Sequence, residues 1–150
     1  MTKKSILFAI ALAVVWYACS TEGWNTDANL EEISYNFHVR PILSDKCFAC
    51  HGPDAGKRQA DLRLDLEESA FQPLKETKGA YAIVSGKPEE SEIYKRITSK
   101  DPDYQMPTPD SHLGALSDQE IKIIKNWIKQ GAKYEKHWAF TKPQKAPLPK

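Results

Sequence analysis

The chain has 150 residues, 41% of them hydrophobic, with 21 Lys+Arg against 20 Asp+Glu; this is enough for one core and too little for two domains of ordinary size. A formal net charge of +1, with both signs scattered along the chain, leaves no basic stripe to neutralise phosphates and excludes nucleic acid as the expected partner. The 10% aromatic content argues against disorder over most of the length despite 10 Pro.

Residues 1–18 differ from the rest. Lys3 and Lys4 precede an apolar run from Ile6 to Ala18, which reads as the charged and hydrophobic regions of an export signal. The run is shorter than the roughly 20 residues a helix needs to span a bilayer. It ends in Trp16-Tyr17-Ala18-Cys19-Ser20, which resembles the lipobox of bacterial lipoproteins, with Trp16 where Leu is usual. On that resemblance Cys19 is the acylated first residue of a membrane-anchored lipoprotein facing the periplasm or cell surface; ordinary cleavage or a retained anchor is the competing outcome. Removing residues 1–18 takes away two lysines and no acidic residue, leaving a nearly neutral mature chain. Residues 19–34 are mostly polar without a sustained period and are read as a tether.

From Tyr35 the pattern changes. Phe37, Val39, Ile42 and Leu43 lead toward Cys47 and predict a helix that ends near Cys50, with Pro41 near its start or at a kink. Leu62, Leu64 and Leu66 alternate with Arg63 and Asp65, which predicts a short extended segment. Ile93, Tyr94 and Ile97 predict a helix over Glu89–Ser99, with Pro88 at the first helical position. Asp101 to Gly114 holds three prolines and turn residues and is read as an irregular loop. Ser117-Asp118-Gln119-Glu120 is a capping box, followed by Ile121, Ile124, Trp127 and Ile128 and stopped by Gly131. The tail, Thr141 to Lys150, has three Pro and three Lys and is read as linker. Ile42, Leu43, Ile97, Ile124, Trp127 and Ile128 are the expected core.

The chemistry is concentrated in Cys47-Phe48-Ala49-Cys50-His51. In a C-x-x-C-H run the two thiols lie about one helical turn apart, suited to thioethers with the two vinyl groups of one haem, and the next residue offers an imidazole to the iron. At this chain's composition the motif arises by chance about once in two thousand sequences. A structural disulfide, a thioredoxin-like redox pair and a zinc site compete for the same residues. The disulfide would close a very short loop, the redox pair wants a βαβ setting that a mainly helical chain lacks, and zinc wants more ligands than the isolated His38, His112 and His137 offer. Beyond residue 18 the single methionine is Met106. Its proline-stiffened loop suits a sixth ligand to the iron, with His112 in reserve and packing in a surface loop as the alternative. His38 and His137 are read as surface or hydrogen-bonding residues. Lys57, Arg58 and Arg63 are the basic candidates for the haem propionates, and for each a solvated surface charge is the preferred reading.

These residues together resemble the planctomycete-type cytochrome c domain. The resemblance runs through Asn36-Phe37, Val39 to Asp45, Cys47 to Asp54 and Leu62-Arg63-Leu64-Asp65. It continues through Gly86-Lys87-Pro88, Met106-Pro107, Trp127-Ile128, Gly131-Ala132 and His137 to Phe140. It covers roughly residues 36–140 and departs at Ser85 and Thr108, where Pro is frequent, and at Gln105, where Arg is common. It implies a mainly α, cytochrome c-like small helical domain at 35–140, built around one covalent haem c with long irregular loops. Such a domain is a carrier of single electrons between redox partner proteins, not a catalyst by itself. In that family the haem domain usually begins a larger exported protein, and 141–150 falls where a junction to downstream domains is expected. The competing functions are a peroxidase-like haem enzyme with an open coordination position, and a structural or redox-sensing module of a larger hydrolytic protein.

Overall fold

A computed structural model describes residues 32–140, so the export signal, Cys19, most of the tether and the 141–150 tail lie outside the described residues. A π-helical turn, Tyr35–Val39, runs directly into α1 (Arg40–Lys46), and Pro41 stands in the first turn of α1. A short α2 (Phe48–His51) follows after Cys47. Next come α3 (Glu67–Ala70), α4 (Glu92–Thr98) and α5 (Asp118–Lys129), with single 3-10 turns at Pro88–Glu90, Pro109–Ser111 and Trp138–Phe140. The domain is mainly helical with long irregular connections, as expected. Among the described residues, β pairing is limited to isolated bridges of Tyr81 with Pro73 and Ser91.

The helix foreseen over Glu89–Ser99 is divided in two. Ser91 is fully buried, and its hydroxyl accepts from Val84 N at 2.8 Å and donates to Lys87 O at 2.9 Å. Its extended backbone, φ −84° and ψ 124°, separates the 3-10 turn from α4. The Leu62–Leu66 segment forms turns, not a strand. Its alternation survives: Leu62 and Leu64 both face the same cavity, while Arg63 pairs with Asp65.

Two features close the domain. The capping box is present at α5, with Glu120 N donating to Ser117 Oγ and Ser117 N donating to the Glu120 carboxylate at 2.7 Å. Gly131, at φ +103°, ends the helix, and its N–H returns to Ile128 O. At the other end, the Glu135 carboxylate accepts from Tyr35 N at 2.8 Å, Asn36 N and the Ser34 hydroxyl. It satisfies orphan donors of the first helical turn from 100 residues away. Ile33 is buried and its N–H donates to Gln130, so the packed domain begins before Tyr35, two residues inside the stretch read as tether.

The core is the one expected, with Ile42, Leu43, Ile97, Ile124, Trp127 and Ile128 all buried. The π-helical turn packs on α1 and α5, and α4 packs on α5. Tyr35, Trp127 and Tyr134 form an aromatic cluster with centroids 4.5 to 5.7 Å apart. Trp127 Nε1 donates to Lys133 O and the Tyr134 hydroxyl to Leu64 O, both at 3.0 Å, so these two rings keep partners for their polar tips. Burial raises the Tyr35 phenol to about 12 and the Tyr134 phenol further still, keeping both neutral. The Ser85 hydroxyl donates to Gly131 O at 2.9 Å and ties that loop to the end of α5.

Candidate functional site

Cys47, Cys50, His51 and Met106 line one cavity of about 560 Å³, within the roughly 300–1,000 Å³ of cofactor and small-molecule sites. The sequence separation of 55 residues between His51 and Met106 is closed by the fold. The apolar wall comes from Leu62 and Leu64 on the turn segment, Ile93 and Ile97 on α4, and Leu113 and Pro107 on the loop before α5.

The attachment motif is held from its own backbone. Cys50 N and His51 N both donate to Cys47 O, at 3.1 and 2.8 Å, which places the three side chains on one tight helical turn. The carbonyls left at the end of α2 are satisfied by Gln59 N on Cys50 O and Leu64 N on His51 O, each at 2.8 Å. Gly52 follows, and a Cβ there would lie 2.3 Å from the Phe48 carbonyl oxygen. Glycine is therefore required by close approach of the chain to its own motif helix.

His51 Nδ1 lies 3.3 Å from Gln59 O. A carbonyl can only accept, so the ring carries its proton on Nδ1 and keeps the lone pair on Nε2. Burial is the main cause of a lowered His51 pKa, only partly opposed by the Gln59 bond, and it favours the neutral imidazole that a metal ligand requires. Cys47 is buried, and burial, with Asp45 and Cys50 adding, raises its thiol to about 12. Such a thiol carries almost no thiolate at neutral pH, the opposite of a reactive redox pair. Both cysteines are free thiols, and among the described residues no group of three or more His, Cys, Asp or Glu is disposed to hold a metal ion.

Met106 is tied to α4 by donation of its N–H to Arg96 O at 3.1 Å. His112, the reserve ligand, is exposed at φ +58° and does not line the cavity, although Ser111 and Leu113 on either side do. His38 accepts from Ser34 N and His137 from Ala139 N, the hydrogen-bonding roles foreseen.

Two of the three basic candidates are engaged elsewhere. Arg58 donates to Gly52 O and Pro53 O, Arg63 forks onto Asp65, and Lys57 is exposed; none lines the cavity. Local acceptors hold the guanidinium groups of Arg58 and Arg63. The cations at the cavity wall are Lys46, Lys75 and Arg96. Lys46 donates to Leu113 O at 2.8 Å and joins α1 to the loop beyond Met106.

One functional candidate had no signal in the sequence. Glu92, 6% exposed, lines the cavity from α4 and accepts from Lys95 Nζ at 2.9 Å and the Tyr104 hydroxyl at 2.7 Å. Burial pushes its pKa up, but these bonds and the Arg96 charge outweigh it, and the carboxyl sits below the ordinary range.

A small, mainly helical domain thus gathers a C-x-x-C-H turn, a histidine and a methionine around one largely apolar cavity. Residues 47–110 match the family model described as Planctomycete cytochrome C, which bears out the resemblance read from the sequence and takes in all four candidates. Comparison with curated proteins and with solved structures gave no match.

Proposed function

We propose that this chain is a c-type cytochrome domain that carries single electrons through one covalent haem. Cys47 and Cys50 would hold the group as thioethers, and His51 Nε2 and Met106 Sδ would be the ligands offered to its iron. The observation that carries this reading is that all four residues line one cavity within a segment matched by a cytochrome family. The residues fit the group: the cavity is of cofactor size and apolar, and the His51–Gln59 bond leaves the correct nitrogen unprotonated. When bound, the haem supplies one-electron exchange at its iron. The chain's own residues bind it at two points, orient the imidazole through Gln59 O, and exclude water with Leu62, Leu64, Ile93 and Ile97.

Export and lipid anchoring at Cys19 belong to the same proposal and rest on the Met1–Ser20 pattern. Membrane attachment through that lipid, and exchange of electrons with soluble or membrane redox proteins, follow from it. The test is extraction with acid acetone after expression with c-type haem maturation: haem stays with the denatured chain if thioethers are present. Extractable haem, or none, overturns the reading.

A further inference from the structure

Residues 104–106 are fastened at three points. Tyr104 N and Gln105 N donate to Asp101 O at 3.0 and 2.7 Å, Met106 N donates to Arg96 O, and the Tyr104 hydroxyl donates to Glu92 Oε2. The last two anchors both lie on α4, one turn apart, and the Arg96 guanidinium sits 4.5 Å over the Tyr104 ring while its Nε approaches Glu92 Oε2 at 3.6 Å. Burying a carboxylate beside Ile93 and Ile97 in a largely apolar wall is costly unless it is fully paired. An apolar residue at position 92 would pack that wall without the cost. What Glu92 adds is a hydrogen bond that reaches the chain two residues before Met106.

We propose that Glu92 and Tyr104 are positioning residues that latch the Met106 loop onto α4 and so keep the methionine sulfur at the iron and small exogenous ligands out. The latch rests on the reading of Met106 as an axial ligand. Glu92 and Tyr104 do not themselves touch the iron; they restrict how often the loop leaves α4. Loss of one charge-assisted hydrogen bond corresponds to about a tenfold shift in the population of the open loop.

The experiment measures the rate of carbon monoxide binding to the ferrous holoprotein, together with the sulfur-to-iron charge-transfer absorption of the ferric form and retention of covalent haem. Tyr104→Phe keeps the ring beneath Arg96 and removes only the hydroxyl; Glu92→Leu removes the acceptor. Each is expected to raise the binding rate about tenfold with covalent haem retained, and the double variant is expected to add little to either single one. Glu92→Gln, whose amide oxygen can still accept from Tyr104, is expected to recover most of the slow binding. A merely structural role would lower the melting temperature of these variants without changing ligand entry. Met106→Ala sets the upper limit of the rate. If Met106→Ala leaves the rate unaltered, the ligand reading falls and the latch with it. If Met106→Ala raises the rate while Tyr104→Phe and Glu92→Leu do not, the ligand reading stands and the latch is overturned.

Discussion

The side chain of His51 is bonded to the backbone of Gln59, which is in turn bonded to the motif helix: His51 Nδ1 donates to Gln59 O at 3.3 Å, and Gln59 N donates to the carbonyl of Cys50, the residue before His51, at 2.8 Å. The imidazole is thus oriented by a main chain that is itself anchored to the motif helix. A hydrogen bond to the far nitrogen makes a ligating imidazole a stronger donor.

The first prediction follows from that pair of bonds. Gln59→Ala leaves both backbone atoms in place and is expected to change stability by less than about 0.5 kcal/mol and the reduction potential not at all. Gln59→Pro deletes the N–H and displaces the carbonyl, so His51 becomes a weaker donor and the potential rises. Voltammetry of the two holoproteins is the check, and equal potentials would remove the orienting role from Gln59.

Gly52→Ala is expected to cost about 3 kcal/mol or more, because its Cβ would press on the Phe48 carbonyl at 2.3 Å and on Phe48 Cβ at 2.9 Å. Neither neighbour is the flexible end of a side chain, so the motif turn must move. The measurable result is a lower yield of covalent haem and a melting temperature reduced by more than about 10 °C. A variant with unchanged yield and melting temperature would show that the turn can yield without cost.

Several of these elements were legible in the sequence because their signals are local. The spacing Cys47, Cys50, His51 needs only one helical turn, the Ser117–Glu120 box is complete within four residues, and the Leu62/Leu64 alternation survives as a shared cavity face even without a strand. What could not be read depends on residues brought together by folding. Ser91 looks like an ordinary helical position until Val84 and Lys87 are placed beside it; Glu135 becomes a helix cap only because the two ends of the domain meet. Nothing local marks Glu92 as buried, and one of its partners, Tyr104, lies twelve residues away. Arg58 and Arg63 are the reverse case, their side chains being held by acceptors close in sequence: Gly52 O and Pro53 O for Arg58 and Asp65 for Arg63.

Ser91→Ala should show how much the divided helix depends on one hydroxyl. The change leaves Val84 N without its 2.8 Å acceptor and Lys87 O without that donor, at a cost of about 1–3 kcal/mol. Thermal denaturation should fall by about 5–15 °C, while the covalent haem remains. A drop of less than about 2 °C would mean that water replaces the hydroxyl.

The pH dependence of stability carries the mark of Glu92. Its folded pKa lies below the ordinary carboxylate range because Lys95, Tyr104 and Arg96 together outweigh burial. The stabilisation is therefore complete above the unfolded value of about 4.3 and is lost as pH falls through the lower folded value. Glu92→Gln cannot lose it. At neutral pH the variant is expected to melt below the parent, by an amount corresponding to about 1 kcal/mol, and the gap should close as the solution is taken below pH of about 4. A gap independent of pH would assign the loss to packing instead of charge.

Met106 decides between a carrier and a haem enzyme with an open coordination position. It lines the cavity, its backbone is bonded to Arg96, and its loop is held at Asp101 and Glu92, so the entropy of presenting the thioether has largely been removed before any metal arrives. His112 points the other way: it is exposed, adopts φ +58° and does not line the cavity, so recruiting it would require the Pro109–Ser111 turn to be rebuilt. A soft thioether favours ferrous iron and raises the potential of a His-ligated haem. Met106→Ala is accordingly expected to keep its covalent haem, lose the sulfur-to-iron charge-transfer absorption, shift to lower potential and bind carbon monoxide quickly, whereas His112→Ala should match the parent in all four respects. If the parent already binds carbon monoxide at the rate of Met106→Ala, the sixth position is open and the enzyme reading replaces the carrier. If instead His112→Ala is the variant that changes spectrum and potential, the loop rearranges on haem binding and the histidine takes the position assigned to Met106.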